Sequence, residues 1–425
     1  MDFNISLMQI ACIWPLNTRN LLHIFLQRLL TWFTLFVLAF VSVLQLLKLT
    51  VSLDLQELSS TIDVFTLTAS ALYKMIYLLT NMHTLQRMVN VVHQKFEEKP
   101  IEGNDKFNMQ SYIKYTRILC ILYVASSQLT GFVWNFVPLL IPPVEPIKNI
   151  EAPLTLKNRK IMPMNIWLPF NIANSPMYEI VWVIEAYAFS SSAFLYLTID
   201  SFYFYLIYLT CGQLELLNAA FRNLFDVKEK MRLEDEEQAM VLARMTNLEG
   251  IKEIENMELV KKKETNQSRH RHDVVNQHLD RMIDHHATIL DLIRVIEVFF
   301  SQAIVVDFLH AILSLSFALF QTQMSVTLME AIKMYIFIVV CIVHQFFNNY
   351  FGEEIIHAQH KIVNSVYEAP WYTGDRKFKR SVQMIVTRSH RPIKLSGFKM
   401  YILCLQSFVE VINWTKNNGR QTNIL

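Results

Sequence analysis

Four polar residues near the C-terminus, Gln406, Glu410, Asn413 and Asn417, follow one another at steps of four, three and four in an otherwise apolar stretch. On an α-helix those steps put all four on one stripe, with Ser407 beside it. A polar stripe on a membrane-crossing helix can line an ion path, so Gln406, Ser407, Glu410 and Asn413 are the candidate pore-lining residues. A terminus that frays or snorkels would give Asn413 and Asn417 the same pattern. Other ionisable residues, Lys74, Glu185, Asp200 and Asp307, sit inside apolar runs. At membrane depth such groups are costly and turn toward a bundle interior or water. Lys74 and Asp200 are expected as a structural pair or as helix-end residues near the cytoplasmic interface, with a transport role as the alternative.

Aromatic residues supply a second candidate site. Phe65, Tyr73, Trp134, Phe136, Trp182, Tyr187 and Tyr335 lie in or near the outer halves of their apolar runs, with Ser191 as a polar member. Such a set could wall an apolar pocket for a small volatile or lipophilic molecule. Any one of these aromatics more often simply packs, and Trp182 also suits an interfacial belt.

Catalysis has no candidate constellation: no G-x-S-x-G elbow, H-E-x-x-H pair or phosphate-cradling glycine loop is present. The histidines His270, His272, His278, His285 and His286 lack cysteine partners and a fixed ligand spacing, and read as a solvated or interfacial face. No metal or cofactor is expected. Cysteines 12, 120, 211, 341 and 404 are scattered singly with none in an outer loop, so they read as buried small apolar residues.

The elements that must position these residues are long apolar runs. Seven stand out: 29–49, 62–81, 118–141, 178–209, 298–321, 331–351, and a last one opening at Gly397. Most reach the roughly 20 residues that a hydrocarbon core about 30 Å thick demands. With 52% hydrophobic and 18% charged residues, the chain is too apolar for an ordinary soluble protein. The fold expected is an all-α membrane protein of seven transmembrane helices. Basic residues orient it, because cytoplasmic loops carry the excess of Lys and Arg. The connections 87–117, 222–281 and 361–394 hold 26 of the 39 Lys and Arg. The 51–61 connection has none, and 142–177 carries only Lys148, Lys157, Arg159 and Lys160. The N-terminus, residues 1–28, is therefore placed inside and the C-terminus outside, with the first span an uncleaved anchor. No basic face interleaved with aromatics points to nucleic acid; membrane lipid is the expected surrounding.

Between the fourth and fifth spans, 226–297 is a charged cytoplasmic loop followed by a helix leading into span five. Residues 352–396 form a cytoplasmic anchor, in which 377–389 carries Phe378, Val382, Ile385 and Val386 on one face against Lys379, Arg380 and Arg388. Pro392 ends that helix and Gly397 is expected to open the pore helix, 397–413.

Particular runs resemble the insect odorant receptors, a family of heteromeric ligand-gated cation channels. They are Gly352 to Ile355, Tyr367 to Tyr372, Arg388 to Gly397 and Leu403 to Phe408 near the end, with a second block through Leu168 to Phe170, Ser175 to Tyr178, Ile199 to Ser201 and Gly212 to Leu217. His285-His286 through Glu297 matches the approach to span five. The resemblance implies an odour-tuned subunit that assembles with a shared co-receptor into a heterotetramer. It further implies an odorant pocket between spans two, three, four and six, a pore formed by the last helices, and a plasma membrane location in olfactory neuron dendrites. The match breaks after Ile412, where the polar tail 414–425 brings Lys416 and Arg420. From Phe398 to Ile412 a helix rises only about 22 Å. That tail is expected to stem from a misjoined exon or variant transcript and to gate poorly. A gustatory-receptor-like channel, a seven-helix receptor coupled to a G protein and a secondary transporter are the competing readings. Asp-Arg-Tyr and Asn-Pro-x-x-Tyr sequences and the last-span signatures of gustatory receptors are not found.

Overall fold

The computed structural model describes the chain apart from residues 1, 16–19, 53, 93, 95–108, 141–161, 170–175, 248–252, 325–327 and 422–425; side chains are further left aside at 2–4, 109, 127, 137–140, 225–272, 329–330 and 414–421. The basic residues of the 142–177 loop, and the side chains of His270, His272, Lys416, Asn417 and Arg420, lie outside the described residues.

Among the described residues the chain is almost wholly helical: α1 Asp2–Ile10, α2 Leu21–Val51, α3 Leu55–Thr80, α4 Met82–Val92, α5 Met109–Leu140, α6 Met177–Asn247, α7 Glu253–Met324, α8 Leu328–Glu368, α9 Arg376–Ser389 and α10 Leu405–Gln421. Six of these, α2, α3, α5, α6, α7 and α8, are long and apolar enough to cross a membrane. They carry the first six expected spans, and α10 takes the place of the seventh. Local chemistry starts several of them. Asn20 caps α2 by accepting from Leu22 N at 3.2 Å, and Asp54 caps α3 by accepting from Gln56 N at 3.2 Å.

The bundle buries helix stripes against one another. Leu67, Ala71, Met75 and Leu78 on α3, spaced four, four and three apart, are buried, as are Leu195, Ile199, Phe202 and Leu206 on α6. The other faces stay greasy: Phe25, Trp32, Phe36 and Phe40 of α2 are exposed, as lipid contact requires. At 71 residues α6 is about 107 Å long, so most of it runs beyond any bilayer core. The backbone of the charged 226–271 stretch is helical through residue 247 and again from 253. At that end α9 forms over the expected segment. Asp375 caps it by accepting from Phe378 N at 2.7 Å, and Phe378, Val382 and Ile385 are buried.

The last helix departs from expectation. Gly397 does not open it: Ser396–Gly397 and Tyr401–Ile402 pair as an antiparallel hairpin, and the helix begins at Leu405. Tertiary contacts explain the shift. Ser396 Oγ donates to Glu297 Oε1 at 2.9 Å and Phe398 N to Ser301 Oγ at 2.8 Å, both on α7. Phe398 and Lys399 turn the chain at φ 47° and 60°, with Met400 N donating to Gly397 O at 2.9 Å. Two glycines permit the approach: a Cβ at Gly397 would press on Val305, and one at Gly352 would strike the Leu403 backbone. Glu353 then accepts from Leu405 N at 3.2 Å, so a carboxylate of α8 caps α10. The helix also runs past Ile412; its 17 residues span about 26 Å rather than 22 Å.

Candidate functional site

Lys74 on α3 is the centre of a buried ionic cluster. Its ammonium reaches Asp200 Oδ1 of α6 at 2.6 Å and Asp307 Oδ1 of α7 at 2.5 Å, and His344 Nε2 of α8 lies 2.9 Å from the other Asp200 oxygen. All four side chains are at least nine-tenths buried. The ammonium also stands 3.7 Å over the Tyr196 ring. The expected Lys74–Asp200 pair is thus real, and Asp307 and His344 join it, so four helices are tied by one charge network. Such a network is weak evidence for net stability but makes each member costly to remove.

A cavity of about 60 Å³ lies against this cluster. Leu67 of α3, Gly131 of α5, Phe189 and Ala193 of α6, and Phe337 and Cys341 of α8 form its apolar wall. His310 of α7, Tyr196 and His344 form its polar side, so two members of the cavity wall belong to or touch the charge network. A Cβ added at Gly131 would meet nothing within 4 Å, which marks open space next to that helix. His310 Nδ1 is 3.2 Å from Thr66 Oγ1 and 3.1 Å from Ser314 Oγ.

None of the eight residues singled out from the sequence is among those that line this cavity. Trp134 comes nearest: its ring packs on Phe189 and Phe337, both at 5.4 Å, while its Nε1 donates to Pro163 O at 2.9 Å. It therefore backs the wall. Tyr187 turns to α2, where its hydroxyl meets Thr34 Oγ1 at 2.8 Å. Tyr73 bonds to Gln302 at 2.7 Å, and Phe136 packs edge-on against Trp182 at 5.8 Å. Ser191 donates to its own helix at Ala188 O, Phe65 is half-buried, and Tyr335 is exposed. The residues that do line the cavity were legible as stripes, 189, 193 and 196 on α6 and 337, 341 and 344 on α8, and His310 and His344 were further ionisable residues within apolar runs.

On α10 the polar stripe is exposed. Gln406, Glu410 and Asn413 face outward while Val411 is buried, and Ser407 is half-buried. Gln406 Nε2 donates to Glu410 Oε1 at 3.1 Å, as the four-residue spacing allows. Among the described residues no group of three His, Cys, Asp or Glu is arranged to hold a metal ion.

The model of the family described as 7tm Odorant receptor matches residues 54–415. The chain belongs to that family. Putative odorant receptor 92a of Drosophila melanogaster is 28% identical over 137 residues, 32% of this chain and 33% of the relative, so the chain spans about a third of the length of that protein. Among solved structures, the olfactory receptor OR5 of the insect Machilis hrabei shares the fold. Its complex with eugenol aligns with a TM-score of 0.74 at 14% identity over 98% of this chain and 96% of the other, and a second structure of the same receptor aligns with a TM-score of 0.75 at 13% identity over 99% of this chain and 96% of the other. The all-helical odorant receptor architecture read from the sequence therefore stands, and the protein is a multi-pass membrane receptor rather than an enzyme.

Proposed function

We propose that this chain is the odour-binding subunit of a heteromeric ligand-gated cation channel. A small volatile molecule occupies the cavity enclosed by α3, α5, α6, α7 and α8, and α10 contributes Gln406, Ser407, Glu410 and Asn413 to a pore completed by other subunits. The N-terminus lies in the cytoplasm, the C-terminus outside, and a co-receptor subunit supplies the remaining helices in the dendritic plasma membrane. The observation that carries this reading is the placement of a mostly apolar cavity directly against the charge network that ties α3, α6, α7 and α8 together. At about 60 Å³ the cavity is far smaller than the few hundred Å³ of a typical ligand site, so an odorant must push these helices apart to enter. A conformation already spread apart binds it better, and that difference in affinity is the free energy available for gating. The exposed polar stripe of α10 supports a role that needs neighbouring subunits.

Whole-cell recording tests the reading: cells expressing the chain with a co-receptor subunit should give volatile-evoked cation currents, and cells expressing it alone should give none. Silence to a broad panel with the chain at the cell surface would remove the channel assignment. Tags accessible on intact cells only at the C-terminus would support the orientation.

A further inference from the structure

A second cavity, of about 1070 Å³, is an open groove between the end of α8 and α9. Tyr367 and Trp371, which meet edge-on at 6.4 Å, form one wall, and Arg376, Lys377, Lys379 and Arg380 of α9 form the other. Among the described residues no Asp or Glu lines it. The charge gathers there because α9 gives its apolar face to the core: Phe378, Val382 and Ile385 are buried, and the four basic residues are left exposed. Arg376 and Arg380 stand about one turn apart, 6 Å along the axis by a rise of roughly 1.5 Å per residue, with Lys379 between them in sequence. The neighbouring carboxylates are already engaged. Glu368 holds Arg222 at 2.7 Å, Asp280 meets Lys377 at 3.5 Å, and Asp375 accepts from Phe378 N and from Asn276. Among the described residues no ion pair falls to Arg376, Lys379 or Arg380.

The groove stands far from the bilayer. Asn276 Nδ2 of α7 donates to Asp375 at 3.2 Å, which sets the start of α9 level with residue 276, whereas the apolar run of span five opens at Val298. The continuous helix between those positions rises about 33 Å, well past the roughly 5–8 Å that headgroups occupy on each side of the hydrocarbon core.

We propose that this groove binds a soluble anion carrying several phosphate groups, of the class of inositol polyphosphates and nucleoside triphosphates, through Arg376, Lys379 and Arg380. Its cytosolic origin rests on the orientation proposed above. Three cations within little more than one turn match the charge density of adjacent phosphates, which the singly charged carboxylates of an acidic segment do not reach, and a lipid headgroup lies too far away. The bound anion ties the end of α8 to α9 and so steadies the segment that leads through the hairpin into α10.

The purified full chain tests this by calorimetric titration and thermal unfolding. Inositol hexakisphosphate, ATP and tripolyphosphate are the soluble probes, and nanodiscs with and without phosphatidylinositol bisphosphate are the lipid arm. The soluble probes should bind and raise the melting temperature. Arg376→Gln with Lys379→Gln and Arg380→Gln alters three exposed positions, so the chain should fold and bind at least about tenfold more weakly. An equal loss of charge at other exposed positions, Arg87→Gln with Lys114→Gln and Arg117→Gln, should leave binding within about twofold. Tighter binding of the hexakisphosphate or of ATP upholds the site in either order and assigns the source. Binding to the lipid-doped nanodiscs alone, equal weakening by both triple variants, or no binding by any probe overturns the proposal. So does loss of co-receptor assembly in the α9 variant when no probe binds, because the groove is then a subunit interface. None of the binding readouts needs an odour-evoked current, so the channel reading stands or falls separately.

Discussion

The middle of the bundle and the last helix treat polar residues in opposite ways. Lys74, Asp200, Asp307 and His344 lie inside the bundle, bonded to one another within one chain. Gln406, Glu410 and Asn413 are exposed on α10, where Gln406 donates to Glu410. The first region is complete in the monomer. The second is exposed on the single chain, and on the proposed reading it faces neighbouring subunits, which would separate a residue's contribution to folding from its contribution to assembly or conduction.

The contrast is sharpest at Lys74. Lys74→Met leaves two carboxylates buried without a cation, a loss of about 3–5 kcal/mol, and should abolish surface expression measured by labelling of intact cells. Adding Asp200→Asn and Asp307→Asn removes the stranded charges and should restore part of it. If Lys74→Met reached the surface normally, the network would be dispensable and the contrast would fail. Gly352→Ala comes next. Its new Cβ meets the Leu403 backbone, so the hairpin and the start of α10 must shift, at about 1–3 kcal/mol, seen as a lower melting temperature in detergent.

Gly131→Ala should leave stability unchanged or raise it by about 0.5–1 kcal/mol, because the position is helical and open, while altering the response to the largest active volatiles. Glu410→Gln should have the smallest effect on folding, within about 0.5 kcal/mol by thermal unfolding, since the side chain is exposed. Its consequence should appear in ion permeability ratios. A stability loss at Glu410 comparable to that at Lys74 would show that α10 is part of the monomer's core.

The sequence carried the helical architecture because lipid imposes a simple rule: a crossing segment must be long, apolar and internally hydrogen-bonded, and each of those properties is local. For the same reason α9 was visible from Phe378, Val382 and Ile385, and the stripe of α10 from the spacing of Gln406, Glu410 and Asn413. Lys74 and Asp200 were expected as a structural pair or as helix-end residues, and the pair is the outcome that fits the cost of an unpaired charge in a bundle.

What only the tertiary structure decided is which face of each helix meets which neighbour. Rotation of a helix about its axis sent Phe136 and Tyr335 outward and left His310, His344 and Gly131 around the cavity, and no single segment encodes that angle. The start of the last helix was likewise settled from outside it: Glu297 and Ser301 hold the hairpin, Gly352 leaves room for Leu403, and Glu353 caps Leu405. Local propensity sets where a helix can form, whereas partners far along the chain set where it begins and which side chains it turns inward.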